Sequence, residues 1–252
     1  MSSQGHADPT LSVLAEGSAT RGHEDRVPLR ELPHTALGAL LWRLFRARTQ
    51  QEREWLYPVG PPVVRIEGVD PVRILIIGDG PAAGCGVLIH ELGVAGFLAR
   101  HVAECLQRGV VVTVRAQPAA SARSTLKHLD DTDLAGYDSI VLMLATTDAF
   151  CLTPRRRWRS SMTGLVLALK GAGRASVLVT GAASMQLTES LSPFARRLTG
   201  NHARMLNIET SMVCAFSGTP MISLDPASDL TPSTYAKWGR RIGKHVLDAL
   251  LR

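Results

Sequence analysis

Four polar segments, each directly after an apolar run, carry the residues of this chain that could do chemistry. The run Ile74–Ile77 ends in Gly78-Asp79-Gly80, and later runs lead into AQPAAS, LATTD and SDLTPS. Carboxylates, hydroxyls and closely spaced glycines are the groups that cradle phosphates, act as acids or bases, or aim backbone N–H donors at a ligand. The first segment, ILIIGDGPAAG at residues 74–84, is therefore open to two interpretations.

One interpretation of ILIIGDGPAAG is a dinucleotide-binding turn. Gly78, Gly80 and Ala83 fit the pattern G-x-G-x-x-A, whose small residues let the backbone approach a pyrophosphate at a helix N-terminus. Asp79, however, would place a carboxylate against the phosphates. The second strand also ends in Arg115-Ala116-Gln117, without the acid that would bind the ribose. A lone glycine pattern is weak evidence, so this interpretation is the distant alternative.

The elements that must position these segments alternate along residues 63–252. Predicted strands are Val63–Ile66, Arg73–Ile77, Val110–Arg115, Ser139–Leu144, Ser176–Thr180 and Met221–Leu224, and predicted helices are 86–108, 121–129, 155–171, 188–214 and 232–251. Continuous Val, Ile and Leu runs are typical of strands buried on both faces, and the alternation implies a parallel sheet between two helical layers. Ligands of such sheets bind beyond the carboxyl ends of the strands, where the polar segments fall.

Taken together, the polar segments resemble the sequence blocks of the SGNH (GDSL-type) hydrolases. ILIIGDGPAAGCGV resembles the block in which a strand delivers G-D-S with the nucleophilic Ser, and AQPAASARSTLKHLD resembles the block whose Gly lends an oxyanion N–H. YDSIVLMLATTDAF is similar to the strand that ends in G-x-N-D, and ASDLTPSTYAKWGRRI to the final block D-x-x-H-P-S. The resemblance spans roughly residues 63–252 and implies an α/β fold, a three-layer α/β/α sandwich around a parallel, flavodoxin-like sheet.

Three positions of the resemblance concern the nucleophile and the oxyanion donors. Gly80 stands where the family has its Ser, Ala119 replaces the oxyanion Gly, and Thr147 replaces the Asn. Because Gly80 has no side chain, no acyl-enzyme can form there. The backbone N–H groups of Gly80 and Ala119 and the hydroxyl of Thr147 could still point at a ligand carbonyl.

The remaining positions concern the base and its supporting carboxylates. Thr231 stands where the family has its His, and a Thr hydroxyl does not titrate near neutral pH. Asp229 lies one residue closer to Thr231 than the family spacing, and Ser228 holds the expected Asp position. Asp79 and Asp148, which accompany the catalytic residues in the family, are retained. The coordinated losses predict that hydrolysis by the family mechanism is gone.

We therefore predict an SGNH-like protein that is catalytically inactive, a pseudoenzyme, and binds a ligand or partner. The expected ligand is an acyl, acetyl or sugar-like group, with a protein partner as a further possibility and with neither cofactor nor metal. The alternative is an acyl-ester hydrolase or acyltransferase with a non-standard mechanism. It would use Cys85, placed in the first turn of the predicted helix where thiol pKa values fall, or Asp79 and Asp148. Ordinary Ser-dependent esterase activity ranks third.

The segment RRRWR at residues 155–159 has two interpretations of its own. Thr153 and Pro154 resemble an N-cap and a first helical residue, so the segment opens a helix. The simpler interpretation is a solvated helix start with Trp158 packed inward. The alternative is an anion or partner site, because the arginines oppose the helix dipole and a bound anion would compensate.

The residues before the main domain divide into a tail and a helix. Residues 1–30 are rich in Gly, Ser, Pro and charge and are predicted to be mobile. In residues 31–62, apolar side chains recur at helical spacing at Leu37, Leu40, Leu41 and Leu44. The run YPVGPP at residues 57–62 then forms a stiff break. The helix is expected to pack on the domain, with a membrane-surface helix as the alternative.

Composition adds broad limits. The chain has 252 residues with 28 Lys and Arg against 22 Asp and Glu, a net charge of +6. This mild excess permits an acidic partner, but no interleaved basic and aromatic pattern favours nucleic acid. Cys85, Cys105, Cys151 and Cys214 form no C-x-x-C pair, which suits a reduced compartment. No apolar run reaches the roughly 20 residues that span a bilayer, and no signal-peptide core opens the chain, so we expect the cytoplasm.

Overall fold

A computed structural model of the chain describes residues 36–51, 56–129, 133–183, 192–227 and 229–251. The predicted tail at residues 1–30 and the Ser228 position lie outside the described residues. The described strands are β1 (Val63–Ile66), β2 (Val72–Gly78), β3 (Val110–Ala116), β4 (Ser139–Met143), β5 (Ser176–Thr180) and β6 (Met221–Ile222). These bounds match the predicted strands to within one or two residues.

Within the described residues the strands form one sheet in the order β1-β3-β2-β4-β5-β6. Strands β2 to β6 are parallel and follow the flavodoxin-like order predicted from the resemblance. The edge strand β1 is antiparallel to β3, which corrects the expectation of a purely parallel sheet. The connection at residues 67–71 is too short to return the chain along the sheet, so β1 and β2 run in opposite directions.

The described helices are α1 (Ala36–Gln51), α2 (Val94–Leu106), α3 (Ala122–Lys127), α4 (Thr146–Phe150), α5 (Arg155–Gly171), α6 (Pro193–Ser217) and α7 (Pro232–Leu250). The bounds of α5 are those predicted. The predicted helix 86–108 starts too early, because the backbone at Gly84 and Gly86 has φ values of 83° and 88° and turns there. After a short 3₁₀ turn at His90–Leu92, the helix proper begins at Val94. The short helix α4 was not predicted.

Alternating side chains of the central strands divide the core into two halves. Ile74 and Ile76 of β2 pack with α2 and α7 on one face, while Leu75 and Ile77 pack with α5 and α6 on the other. The result is the predicted three-layer α/β/α sandwich, with the sheet buried between two helical layers. This arrangement places the carboxyl ends of β2, β3, β4 and β5 along one edge.

Helix α1 contacts the domain, but of the four leucines expected to form its packing face only Leu41 is buried. Leu41 and Trp42 are buried in the half of the core that holds Phe150, and the Trp42 and Phe150 rings lie 6.3 Å apart. The other leucines of the helix, Leu37, Leu40 and Leu44, are exposed. In the described part of the chain, no helix combines the length and apolarity that crossing a membrane would require.

Candidate functional site

Asp79 joins the end of β2 to the loop after β4. Its Oδ2 accepts hydrogen bonds from the backbone N–H groups of Thr146, at 2.7 Å, and Thr147, at 3.2 Å. The backbone N–H of Asp79 in turn donates to the carbonyl of Met143 at 3.1 Å. The carboxyl group is 1% exposed. These contacts make Asp79 a structural cap, because the capped N–H groups belong to the start of α4.

Gly80 and Cys85 lie in a buried turn that follows Asp79. The backbone N–H of Cys85 donates to the Gly80 carbonyl at 3.1 Å, and Gly80 itself is buried. Cys85 does not lie in a helix, so the helix N-terminus that was expected to activate its thiol is absent at this position. Burial instead raises the pKa of Cys85, against a hydrogen bond from Tyr57 that lowers it. These surroundings disfavour the thiolate and with it the candidate nucleophile.

The same turn removes the geometric basis for dinucleotide binding. A pyrophosphate cradle needs the N–H groups of a helix start directly after the glycines. Here α2 begins only at Val94, and the residues between Gly80 and Gly86 form turns. The small residues of the G-x-G-x-x-A match serve packing instead. A Cβ at Gly78 would lie 2.2 Å from the Met143 carbonyl oxygen and 2.4 Å from Ala82.

Ala119 lies in the turn after β3, beside the end of β2. The Gln117 N–H donates to the Gly78 carbonyl at 3.1 Å, which ties the two strand ends together. Ala119 is partly buried against the core half that contains Trp42 and Phe150. After it, the Ser121 side chain caps α3 by accepting from the Ser124 N–H in a reciprocal capping box. The structure therefore places the Ala119 turn at the same edge as Asp79.

Thr147 and Asp148 open the short helix α4. Thr147 is buried, and its N–H is one of the two backbone donors to Asp79. Asp148 Oδ2 accepts from the Ala122 N–H at 2.8 Å, and its Oδ1 accepts from the Thr153 hydroxyl at 2.6 Å. Asp148 thus fastens the β3 loop to the β4 loop. Asp79 and Asp148 together hold three strand ends in place.

The backbone before Thr147 is strained. Ala145, the N-cap residue of α4, has φ of 118° and ψ of −15°, a region that L-residues rarely adopt and that favours glycine. In the G-x-N-D pattern of the resemblance, glycine occupies this position. The chain has kept the loop conformation while losing the residue that adopts it without strain.

Asp229 and Thr231 form a hydroxyl and carboxylate cluster at the start of α7. Asp229 Oδ1 accepts from the Thr231 hydroxyl at 3.1 Å and from the Thr234 hydroxyl at 2.8 Å, and these hydrogen bonds lower the pKa of Asp229. A Cβ on Gly86 would lie 2.4 Å from the Leu230 carbonyl oxygen. This segment is therefore packed against the turn that follows Gly80, and Thr231, at the position of the family's His, donates its hydroxyl to Asp229.

Two buried carboxyls at the site have pKa values near neutral pH. Burial raises the pKa of Asp79 to about 7, against hydrogen bonds from Thr147 and Thr146, and the neighbouring Asp148 raises it further. Burial raises the pKa of Asp148 to about 6, against hydrogen bonds from Thr153 and Ala122. The donors named for both carboxyls are neutral. Such pKa values suit acid or base chemistry, but the same oxygens already hold the loops together.

The RRRWR segment faces the neighbouring helix α6. Arg155 Nε pairs with Oε1 of Glu209, and Arg159 Nε lies 2.5 Å from Oε2 of the same carboxylate, which is fully buried. Trp158 is buried as predicted, and its indole N–H donates to the Thr210 hydroxyl at 3.1 Å. We call Arg155, Trp158, Arg159, Glu209 and Thr210 together the α5–α6 clamp. Two arginines of the proposed anion site thus already have an internal counter-ion.

Sequence reasoning missed the aromatic side chains around the site. The Tyr235 hydroxyl donates to the Cys85 carbonyl at 2.5 Å, and Tyr57 hydrogen-bonds the Cys85 thiol. Tyr57 lies in YPVGPP, where prolines and glycine signalled only a break in structure. His202, on α6, has its Nε2 2.9 Å from the Thr153 carbonyl oxygen, and burial lowers its pKa. Nothing in the sequence places Tyr57 or His202 near the strand ends.

Geometry shows what the site can do. Carboxyl groups, a buried Thr and backbone N–H groups from several loops converge at one edge of the sheet, where α/β proteins bind ligands. No Ser or Thr hydroxyl is present at position 80, and Thr231 offers no titratable base. Position 80 thus offers no side-chain nucleophile and position 231 no base, and the polar groups at this edge are the Asp79 and Asp148 carboxyls, Thr147 and the backbone N–H groups.

Comparison with family models and with curated proteins gives no match to this sequence. Solved structures do resemble it. A lipase/acylhydrolase from Enterococcus faecalis superposes with a TM-score of 0.56 at 17% identity, covering 69% of this chain and 95% of its own. A carbohydrate acetylesterase from Sinorhizobium meliloti gives 0.56 at 13% identity, covering 70% and 99%. A lipolytic protein described as of the G-D-S-L family, from Desulfitobacterium hafniense, gives 0.54 at 12% identity, covering 69% and 98%.

These likenesses establish the fold. The chain has the fold of the SGNH (GDSL-type) hydrolases, as the order of its sequence blocks predicted. At such low identity they carry no statement about activity.

Proposed function

We propose that this protein is an SGNH-like pseudoenzyme that binds an acyl, acetyl or sugar-like ligand, or a partner bearing such a group, without cleaving it. The observation that carries the proposal is the pairing of Thr231 with Asp229 where a base is needed, together with Gly80 where a nucleophile is needed. The hydroxyl that would lose a proton and the base that would accept it are therefore both absent. The surrounding loop network is nonetheless intact, which supports a retained binding role.

The binding half of the proposal rests on the polar groups at the strand ends. Thr147 lies at the start of α4 beside Asp79, where the family pattern uses a side-chain donor. Among the structural neighbours is a carbohydrate acetylesterase, so acetylated sugars are the first probes to use. An acetyl group presents one carbonyl acceptor and a small apolar methyl, which suits a site with few donors and neutral surroundings.

Hydrolysis or acyl transfer by a different mechanism is the second candidate. The pKa values of Asp79, about 7, and Asp148, about 6, favour it, because a base poised near the working pH is effective. Their engagement in loop-fastening hydrogen bonds counts against it, as does the buried, high-pKa thiol of Cys85. Dinucleotide binding ranks last, because no helix begins at the glycine turn.

The experiment combines binding and turnover on one sample. Xylose tetraacetate and ethyl butyrate are added to the full chain, saturation transfer in the ligand spectrum reports binding, and released acetate or butyrate reports turnover. We expect saturation transfer without acid release above a heat-treated sample. Thr147→Val should weaken the transfer, while the matched change Thr163→Val on α5 should leave it unchanged.

Each result separates the candidates. Acid release that scales with protein concentration would replace the pseudoenzyme with the second candidate, and its loss in Asp79→Asn or Cys85→Ala would name the group involved. Absence of saturation transfer for every acyl probe would overturn the small-ligand part of the proposal. An identical effect of Thr147→Val and Thr163→Val would show that the candidate site is not where the ligand binds.

A further inference from the structure

We infer that the amino-terminal cover, defined as α1 together with the segment Leu56–Val59, closes the candidate site and must move before a ligand can enter. The inference rests on the proposed function, since the closed site is the one assigned to ligand binding. Ligands of this kind of fold enter at the strand ends, yet Gly80 and the residues around it, which lie at one strand end, are buried.

Helix α1 forms one half of the cover. Trp42 is 4% exposed, and its ring lies 6.3 Å from that of Phe150, the last residue of α4. Leu41 and Trp42 belong to the same buried cluster as Ala120 and Ala145, which lie in the loops after β3 and β4. These are the loops that carry Ala119 and Thr147. The helix therefore packs against α4, the short helix that opens with Thr147.

The segment Leu56–Val59 forms the other half and lies along the loop that follows Gly80. The Leu56 carbonyl accepts from the Gly86 N–H at 2.8 Å, and the Val59 N–H donates to the Leu88 carbonyl at 3.0 Å. Pro58 sits so close that a Cβ on Gly84 would lie 2.7 Å from its Cγ. Between them, Tyr57 hydrogen-bonds the Cys85 thiol.

Both halves of the cover bury only part of their apolar surface, so the cover can open while the core of the domain stays folded. Only one face of α1 is buried, because Leu37, Leu40 and Leu44 of the same helix remain exposed. The contacts of Leu56–Val59 include two backbone hydrogen bonds, the Tyr57 hydrogen bond to Cys85 and the packing of Pro58, while the Leu56 and Val59 side chains are exposed. Elements with few buried apolar contacts open locally at lower free energy than the global unfolding of the domain.

Four free cysteines allow the cover to be tested without any ligand. Cys85 contacts Tyr57, and Cys151 follows Phe150, so both thiols become accessible when the cover opens. Cys214 is a buried residue near the C-terminal end of α6, outside the loops after β2, β3 and β4, and serves as the reporter of global unfolding. Cys105 is exposed and reports the reagent itself.

The experiment follows labelling of the full chain by N-ethylmaleimide with peptide mass mapping of each cysteine. Trp42→Ala should accelerate labelling of Cys85 and Cys151 by at least about tenfold, with Cys105 and Cys214 unchanged. The matched control is Leu40→Ala, on the exposed face of α1, which should leave the four rates as they are. Tyr57→Ala should accelerate labelling of Cys85 alone. Loss of the Tyr57 hydrogen bond would by itself raise the pKa of Cys85 and slow its labelling. Faster labelling therefore shows that the thiol has become exposed.

Several outcomes would overturn the cover. Unchanged Cys85 and Cys151 rates in both Trp42→Ala and Tyr57→Ala would do so, as would a parallel rise at Cys214, which indicates general loosening. Wild-type Cys85 labelled as fast as Cys105 would show that the site is open already. Since no ligand takes part, a failure of acyl binding would leave this result intact, and a failure of the cover would leave the binding proposal intact.

Discussion

Two regions of this protein bury carboxyl groups and hold them in opposite ways. In the α5–α6 clamp, Glu209 is fully buried between Arg155 and Arg159, and hydrogen bonds from Arg159 hold its pKa below the usual range. At the candidate site, Asp79 and Asp148 are equally buried but meet only neutral donors, and burial raises their pKa values to about 7 and 6. The clamp carboxylate stays charged, whereas the pKa values of the site carboxyls lie near neutral pH.

The difference shows what each region does. A carboxylate with two guanidinium partners fastens neighbouring helices and has no free chemistry. Carboxyls that titrate near neutral pH are typical of functional sites, yet these two fasten the loops that carry Ala119 and Thr147. Under the proposed function, the site keeps the loop contacts of the hydrolase fold without a nucleophile and a base. Clamp substitutions should damage stability alone, and site substitutions should shift pH dependence and binding.

The largest effect is expected from Trp158→Ala in the clamp. This removes a fully buried indole and its hydrogen bond to Thr210, and should lower the free energy of unfolding by about 3–5 kcal/mol. Urea denaturation measures the change, monitored by the far-UV circular dichroism of the backbone because the substitution removes a tryptophan. Trp158→Phe, which keeps most of the packing, is the matched control and should cost clearly less. If Trp158→Ala left the free energy of unfolding nearly unchanged, the clamp would not be a principal support of the fold.

Next in size is Glu209→Gln, which leaves both arginines without their carboxylate. We expect a loss of about 1–2 kcal/mol, at the low end for charged hydrogen bonds because Arg155 and Arg159 are half exposed. The pKa of Glu209 is lowered in the folded protein, so the stability it contributes is present above the unfolded pKa near 4.5 and is lost only in acid. The deficit of Glu209→Gln should therefore be constant between pH 6 and pH 8, as measured by urea denaturation.

Asp79→Asn should behave differently over the same pH range. The folded pKa of Asp79, about 7, lies above the unfolded value near 3.8, so the folded protein holds a proton that the unfolded chain has released. Its contribution is present below about pH 4 and is lost as the pH rises through 7. Wild-type stability should fall across this range, and Asp79→Asn should fall less, since a neutral amide oxygen can still accept from Thr146 and Thr147. If the stability of the wild type and of Asp79→Asn changed in parallel between pH 6 and pH 8, Asp79 would not titrate in that range.

Ala145→Gly is a smaller test of the site backbone. Glycine adopts the φ of 118° at this position without strain, so the substitution should raise the free energy of unfolding by about 1 kcal/mol. Ala149→Gly, in the short helix α4 that follows, provides the control and should lower it. A loss of stability in Ala145→Gly would mean that packing of the Ala145 methyl outweighs the backbone strain.

Gly80→Ser should have the smallest effect on function. The hydroxyl restores the position of a nucleophile, but Thr231 still offers no base, so ester hydrolysis should stay near the wild-type level. The test is release of p-nitrophenol from p-nitrophenyl acetate, with Ser233→Ala as an unrelated hydroxyl change in the final block. Robust esterase activity from Gly80→Ser alone would show that another residue acts as base and that the Thr231 assignment is wrong.

The fold was largely predictable from local patterns, and the site only in part. Apolar runs gave the strands within one or two residues, because buried parallel strands have a distinctive composition. The start of α2 was missed because Gly84 and Gly86 adopt positive φ values that no periodicity reveals. Pairing between distant residues, such as Arg155 with Glu209 or Tyr57 with Cys85, depends on how helices and loops pack. A single sequence carries no direct signal of such contacts.

The central claim is that an intact SGNH-like frame has lost its chemistry, and hydrolysis of p-nitrophenyl acetate by the purified full chain tests it most directly. We expect p-nitrophenol release no faster than in a heat-denatured sample of the same concentration, across pH 6 to pH 9. Release proportional to protein concentration, and abolished by Asp79→Asn, Asp148→Asn or Cys85→Ala, would contradict it and make this protein an esterase of unusual mechanism.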